Sequence, residues 1–225
     1  MTTAKDLFII AMDPRPERSV GQGDLSLALA GAELIDLIDA GTVTVDEDRI
    51  VPGESSPPQD RLLGEAAERL TRESPHERIE DWLWRRGRDL AAAYQASLEE
   101  DGELTRKRSG RLSFGSERVE PVDTPARRAA AERWEEREPV LAALASAVGV
   151  ERGRPKDAEN AEEAESAEEA ENAEDSNDFG DEPGLDDEAV TAVVTAVHDA
   201  VMELEAVRQR RTIENSAFAN LWRGP

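Results

Sequence analysis

The segment from Ala158 to Asp175 repeats the triplet Ala-Glu-X six times, and it constrains the fold more than any other part of the sequence. The stretch from Pro155 to Glu188 holds 16 acidic residues and one lysine, so it carries about −15 of the net charge of −24. Outside this stretch, 35 acidic and 26 basic residues leave a net charge of only −9. The strong acidity is therefore local, and the remaining sequence has the composition of a mildly acidic globular domain.

The acidic segment is predicted to be a disordered linker. Alanine and glutamate favour helix, but glutamates three and four residues apart repel each other, and no apolar residue larger than alanine appears before Phe179. Such a segment buries too little apolar surface to offset the entropy lost on ordering; a partner-binding tail is the alternative. The predicted organisation is a helical domain over residues 1–150, an acidic insert over 151–185, and a C-terminal helix over 186–225 that packs on the main domain.

The composition excludes several classes of function. The chain has no cysteine and two histidines, which excludes thiolate zinc sites and cysteine nucleophiles and leaves little for a histidine metal site. No phosphate-binding loop, dinucleotide motif or serine elbow is present, so we expect a protein that is not an enzyme and that uses no cofactor or metal. No apolar run approaches the roughly 20 residues that span a bilayer, and the N-terminus lacks the pattern of a signal peptide. We therefore expect a cytoplasmic protein.

The pattern of apolar residues predicts a mainly α-helical domain with two β-hairpins. Residues 25–38 are apolar on nearly all sides, which is typical of a helix in the middle of a fold. The run Leu7–Met12 fits a short strand or the start of a helix. Alternation of apolar and polar residues on both sides of a turn predicts hairpins within 42–51 and 104–122. The remaining predicted helices cover 61–71, 75–102 with a bend at Gly87, 125–137, 139–148, and a long last helix from about residue 187, where valines recur every three and four residues.

A cluster of tryptophans and arginines is the strongest candidate for a binding surface. Within seven residues the sequence holds Trp82, Trp84, Arg85, Arg86 and Arg88. Tryptophan beside arginine suits a membrane interface, where the ring lies at head-group depth and the cation meets phosphate. In the alternative interpretation, the first tryptophan belongs to the core and the arginines pair with neighbouring carboxylates.

The second predicted hairpin is locally basic. Arg106, Lys107, Arg108 and Arg111 are candidates, together with Trp84, for contact with an anionic membrane surface. A solvated hairpin tip explains the same residues equally well. A helix followed by a basic hairpin is also typical of winged-helix nucleic-acid binders, but phosphate contacts dominate their affinity and this chain is acidic overall. We therefore expect no nucleic-acid partner.

Several segments resemble one family. Residues 27–37 (LALAGAELIDL), followed by Ala40–Val43, resemble the first core helix and hairpin of the Golgi phosphoprotein 3 family, the GPP34 domain. Residues 60–66 (DRLLGEA) resemble a later helix of that family, Trp82 falls at a helix-start tryptophan, and residues 98–104 (LEEDGEL) resemble the step into the second hairpin. Residues 121–131 resemble the next helix start. The resemblance covers about residues 5–150 and more loosely the terminal helix, and it is to the bacterial, actinobacterial branch.

The resemblance implies a single, mainly helical domain that acts as a peripheral membrane protein. Eukaryotic members bind phosphatidylinositol 4-phosphate through a tryptophan and three arginines. The corresponding positions here are near Gly21 for the tryptophan, and Ala30, Arg88 and Ala91 for the arginines, so one of the four residues is retained.

The predicted partner is an anionic phospholipid head group, with a protein partner also possible, and the predicted location is the cytoplasm or the inner face of the membrane. The predicted head-group set consists of Arg88, the retained arginine, and of substitutes for the missing arginines: Arg85, Arg86, Gly21, Gln22 and Gly23. The alternative function is a soluble protein-interaction adaptor whose head-group pocket has degenerated.

Overall fold

The computed structural model of the chain describes residues 2–12, 20–55, 58–108, 117–150 and 187–222. Within these ranges it contains eight helices and two separate two-stranded antiparallel sheets, which confirms the predicted mainly α-helical fold with two β-hairpins. The acidic insert lies outside the described residues. The elements are α1 (Thr3–Ala11), α2 (Gln22–Asp39), β1 (Val43–Asp46), β2 (Arg49–Pro52), α3 (Arg61–Glu68), α4 (Ile79–Arg86), α5 (Leu90–Glu100), β3 (Leu104–Arg108), β4 (Glu117–Pro121), α6 (Pro125–Glu135), α7 (Pro139–Ala147) and α8 (Glu188–Trp222).

Helix α2 is the centre of the fold. Every residue from Leu25 to Ile35 is buried, including Glu33, so the helix is enclosed on all sides. Helices α1, α4, α5 and α8 pack against it, with further contacts from α3 and α7. A helix without a solvent face needs neighbours all round it, and this arrangement confirms the central position predicted from its apolar residues.

Helix α1 resolves the ambiguity of the short apolar run at the N-terminus. The run belongs to a helix, with Leu7 and Phe8 fully buried. Periodicity alone does not distinguish a strand from a helix in so short a run. The start of α1 is stabilised by the Asp36 carboxylate of α2, which accepts hydrogen bonds from the backbone N–H groups of Thr3 at 2.8 Å and Ala4 at 3.1 Å.

The same carboxylate gives a pH dependence to stability. Burial raises the pKa of Asp36 to about 6, although the N–H groups of Thr3 and Ala4 partly oppose the shift. Since the folded-state pKa is raised, the contribution of Asp36 to stability is largest below the unfolded pKa and is lost as pH rises through 6. We expect the unfolding free energy of the native chain, relative to Asp36→Asn, to fall by about 1 kcal/mol between pH 5 and pH 7. Urea denaturation of both proteins at each pH measures this difference, and parallel pH profiles would contradict the expectation.

Two hairpins lie where alternation in the sequence predicts them. In the first, Val45 pairs with Ile50, and β2 is tied to the start of α4 by the hydrogen bond from Ile50 N–H to the Glu77 carbonyl at 2.9 Å. In the second, Leu104 pairs with Pro121 and Arg108 with Glu117. The tip of the second hairpin, residues 109–116, lies outside the described residues.

The predicted bend at Gly87 is a break between two helices. Helix α4 ends at Arg86, Gly87 caps it, and α5 begins at Leu90. Asp89, between them, adopts a left-handed backbone conformation with φ 58°, which a continuous helix does not allow. The break turns the chain sharply, and it places Arg88 at a corner.

Helix α8 packs on the rest of the domain. Its residues Val190, Val193, Val194 and Val197 are buried against α2, α4 and α7. Beyond the contact region Ile213 is exposed. In the described part of the chain, no helix is both long enough and apolar enough to cross a membrane.

Candidate anion-binding groove

A groove of about 490 Å³ opens between the first turns of α2 and the turn that joins α4 to α5. Helix α8 closes one edge of it. The residues that matter for its chemistry are Gln22, Gly23 and Ser26 of α2, Trp84 of α4, Arg88 and Asp89 of the turn and Leu204 of α8.

The turn carrying Arg88 is fixed against α2 by a buried hydrogen bond. The backbone N–H of Ala91, in the first turn of α5, donates to Ser26 Oγ at 3.0 Å. The N–H of Gly87 donates to the Leu83 carbonyl at 2.9 Å and so closes α4. These two bonds hold the corner from both sides, and Arg88 is therefore presented at the groove by rigid neighbours.

Arg88 is exposed, and among the residues that the structure describes it has no hydrogen bond and no ion pair. The arginines around it differ in this respect, since each has a carboxylate partner. A guanidinium that lines a groove and is not committed to a carboxylate is available to bind an anion.

Arg85 is not among the residues that line the groove, contrary to the prediction. Its Nε and Nη2 donate to the two carboxylate oxygens of Glu77 at 2.7 and 2.6 Å, and Nη2 also donates to the Arg69 carbonyl. Its Cζ lies 5.2 Å from the ring centroid of Trp82, within the range of a cation–π contact. The hydrogen bond to Glu77 raises the pKa of Arg85. The pair of Arg85 and Glu77 thus connects the last turn of α4 to the residues just before that helix.

Arg86 is buried, and the structure excludes it from the predicted head-group set. Its side chain is 4% exposed, and its Nε and Nη2 donate to Glu33 at 2.6 and 2.7 Å. Nη2 also donates to the Leu62 carbonyl, and Tyr94 Oη donates to the same carboxylate at 3.1 Å. Burial lowers the pKa of Arg86, but the hydrogen bonds and charge of Glu33 outweigh it and leave the pKa raised. This guanidinium is a structural group of the core.

Of the predicted residues at the start of α2, two line the groove. Gln22 and Gly23 line it together with Arg88, whereas Gly21 is the N-cap of α2 and is not among the lining residues. Trp84, predicted as a membrane contact, is half-buried and lines the same groove. Two of the three positions that the family resemblance assigns to arginine hold alanines, and both are buried: Ala30 is 0% and Ala91 3% exposed.

Most of the membrane contacts predicted for the second hairpin are not tested by the structure and stay predictions. Arg106 is exposed, and its Nε and Nη2 contact Glu99 Oε2 at 2.9 and 2.8 Å. Lys107 and Arg108 lie in β3, paired in register with Arg118 and Glu117. Arg111 lies outside the described residues. The hairpin remains a candidate membrane contact.

Sequence reasoning missed the contribution of α8. Leu204 lines the groove, and one turn later Arg208 Nη1 contacts both carboxylate oxygens of Asp24 at 2.7 Å. The Asp24 hydrogen bond raises the pKa of Arg208. The two partners are 184 residues apart, so local spacing contains no trace of the contact. The signal available was that Leu204 and Arg208, at i and i+4, extend the buried valine face of the same helix.

No group of three or more histidines and carboxylates arranged to hold a metal ion occurs in the described ranges. The residues that line the groove instead include the amide side chain of Gln22, the indole of Trp84, the guanidinium of Arg88 and the carboxylate of Asp89.

The fold and groove define a mainly helical protein built around one enclosed helix, with a groove at its surface that mixes apolar and polar residues. The sequence model of the Golgi phosphoprotein 3 (GPP34) family matches residues 4–211. Because the match covers most of the chain, the chain belongs to the GPP34 family. The match includes α8 as far as Arg211, so the helix that closes the groove lies within the family domain. No curated protein matches the chain.

Proposed function

We propose that this protein binds a phosphorylated, anionic lipid head group of the phosphatidylinositol 4-phosphate type. In this proposal it works as a peripheral protein at the inner face of the membrane and is not an enzyme. Family membership supports a lipid or protein interaction, and the chemistry of the groove favours an anion.

The observation that carries the proposal is the position of Arg88. It lines the groove without a carboxylate partner among the described residues, and Gln22 and Gly23, at the start of α2, line the same groove. The N-cap residue of α2, Gly21, supplies no side-chain hydrogen bond to the start of the helix. Backbone N–H groups at a helix start and a guanidinium both donate hydrogen bonds to phosphate oxygens. Trp84 beside them offers an amphipathic ring at the depth of a lipid head group.

A second function is favoured by the two buried alanines. Ala30 and Ala91 replace arginines of the family pocket and offer neither charge nor hydrogen bonds. A pocket that has lost these groups fits a protein-interaction adaptor. The groove then serves a protein partner, and Arg88 is a surface residue within it.

Vesicle co-sedimentation distinguishes the two functions. We expect the full chain to sediment with phosphatidylcholine vesicles that contain phosphatidylinositol 4-phosphate, and less so as salt is raised, because salt screens exposed charges. Arg88→Ala should weaken this binding about tenfold, since a charge-assisted hydrogen bond is lost. Arg72→Ala removes the same charge from an exposed position outside the groove and serves as the matched control.

Absence of sedimentation with every anionic lipid would overturn the lipid proposal and favour the adaptor. Equal binding by Arg88→Ala and the native chain would show that the lipid contact lies outside the groove. The basic hairpin would then be the candidate contact. A gel shift with duplex DNA at moderate salt tests the nucleic-acid alternative, for which we expect no complex.

A further inference from the structure

We propose that α8 pairs with α8 of a second copy of the chain, antiparallel and back to back, to form a dimer. The surface that makes the contact is the outer stripe of α8, defined here as Met202, Ala206, Gln209 and Ile213. This inference goes beyond the proposed function, because it concerns the side of α8 opposite its buried valines and does not depend on the groove.

The first observation is the exposure of two large apolar side chains on α8. In the described ranges, the large apolar side chains that are exposed are Met202, at 60%, and Ile213, at 69%. No residue from Glu203 to Glu214 is buried, although the helix continues to Trp222. In proteins most helical stability comes from the packing of one face of the helix. This part of α8 therefore gains stability from a partner that covers its apolar residues.

The outer stripe has the spacing of a helix–helix contact. Its members are four, three and four residues apart, so they lie within about 60° of each other around the helix. The same spacing forms the seam of a coiled coil. The buried residues Val193, Val197 and Ala200 lie on the opposite side of the helix. When a second copy docks on the outer stripe, the two domains therefore lie on opposite sides of the helix pair.

The charges along α8 favour an antiparallel pair. Residues 187–205 hold five acidic residues and no lysine or arginine, whereas residues 206–222 hold three arginines and one glutamate. An antiparallel arrangement places the acidic half of each helix beside the basic half of the other. A parallel arrangement would bring like charges together. It would also place at one end of the pair both copies of the segment 155–188, each with a charge of about −15.

One register suits both the apolar and the charged residues. When Met202 of one copy lies opposite Ile213 of the other, the two middle residues of the outer stripe also lie opposite each other, as the twofold symmetry of a homodimer requires. The same register places Glu203 beside Arg210 of the second copy, on the flank of the seam, at two symmetric positions. Both side chains are exposed, and among the residues that the structure describes neither forms an ion pair.

The size of the contact sets its strength. The outer stripe covers about three turns of each helix, which is less than the length of contact in a stable dimer. We therefore expect a weak dimer, with a dissociation constant on the order of ten micromolar. Sedimentation velocity of the full chain between roughly 2 and 200 µM should show the change from monomer to dimer.

Substitutions in and beside the outer stripe test the contact. Ile213→Glu should weaken dimerisation at least about tenfold, because it places a charge in the apolar seam. Arg210→Glu should weaken it about tenfold, because two ion pairs become two repulsions, and adding Glu203→Arg should restore it. Within one chain these two residues are about two turns apart, so such a rescue acts between copies. Arg211→Glu, the same charge change at the next exposed residue but on the far side of α8 from the seam, should change affinity about twofold or less.

Cysteine cross-linking tests the register, since the chain has no cysteine of its own. A mixture of Met202→Cys and Ile213→Cys proteins, oxidised with diamide, should give a disulfide-linked heterodimer, because the antiparallel register brings the two positions together. Each protein alone should cross-link far less, since its two cysteines lie about 16 Å apart along the helix pair. Efficient homodimers without the heterodimer would indicate a parallel pair and overturn the inference.

The remaining outcomes are also decisive. A native chain that stays monomeric over the whole concentration range overturns the inference, and so does a dimer that Ile213→Glu leaves unchanged. A monomer whose binding to vesicles containing phosphatidylinositol 4-phosphate falls with Ile213→Glu would assign the outer stripe to a membrane and not to a second copy. Circular dichroism confirms that each variant is folded, and the cysteine proteins still test the contact if Ile213→Glu is not.

Discussion

Replacing Arg86 with methionine is expected to lower the unfolding free energy by about 3–5 kcal/mol, because it leaves the Glu33 carboxylate buried without its cation. Glu33 is 0% exposed and receives two hydrogen bonds from Arg86. Among the residues that the structure describes, only the Tyr94 hydroxyl remains as a side-chain donor to it after the substitution. Tyr94 cannot replace the lost charge, so the carboxylate must take up a proton or admit water. Chemical denaturation monitored by tryptophan fluorescence measures the loss.

Arg85 provides the matched control, since it is the next residue along the same helix and also has a bidentate carboxylate partner. Its side chain is 43% exposed, and exposed ion pairs contribute about 1 kcal/mol or less. Arg85→Met should therefore cost far less than Arg86→Met. The double substitution Glu33→Gln with Arg86→Met removes both charges and should recover part of the loss. Similar costs for the two single substitutions would show that Arg86 is hydrated in solution.

The elements of the fold were predictable because their signals are local. Residues 25–38 are apolar on nearly all faces, and a helix of this kind must be surrounded by other elements of the fold. Alternation around short turns predicted both hairpins. At the N-terminus the prediction stayed open between a strand and a helix, because the hydrogen bond that fixes the start of α1 comes from Asp36, 33 residues away from Thr3. The local sequence does not reveal a hydrogen bond over such a separation.

The candidate site was less predictable, for a related reason. Arg85, Arg86 and Arg88 are close in sequence, but neighbouring residues on a helix point in different directions. One is fastened to Glu77, one to Glu33, and one lies beyond the helix end and faces the groove. Glu33 was the available signal, since a carboxylate inside an otherwise apolar helix needs a buried partner. That partner is 53 residues away.

Substituting leucine for Gly31 is expected to be the most damaging change at the contact between α2 and α8, with a cost of about 3 kcal/mol from overpacking. A Cβ atom on Gly31 would lie 2.3 Å from Val197 Cγ2, and Val197 is fully buried. Even Gly31→Ala requires a shift of α8. The gain in helix propensity from alanine, about 1 kcal/mol, offsets only part of that cost. Thermal and urea unfolding measure the effect.

Gly64 is the matched control, because it also lies inside a helix but has room for a side chain. The nearest atom to its Cβ position is the Pro58 carbonyl oxygen at 3.5 Å, an ordinary contact. Gly64→Ala should therefore stabilise the protein by about 0.5–1 kcal/mol, the opposite sign to Gly31→Ala.

Combining Gly31→Ala with Val197→Ala should cost less than the sum of the single substitutions, since one removes the clash that the other creates. Because α8 also carries Leu204 to the groove, Gly31→Leu should weaken anion binding together with stability. A stabilising Gly31→Ala would mean that α8 lies farther from α2 in solution, and the groove would then lose the edge that this helix provides.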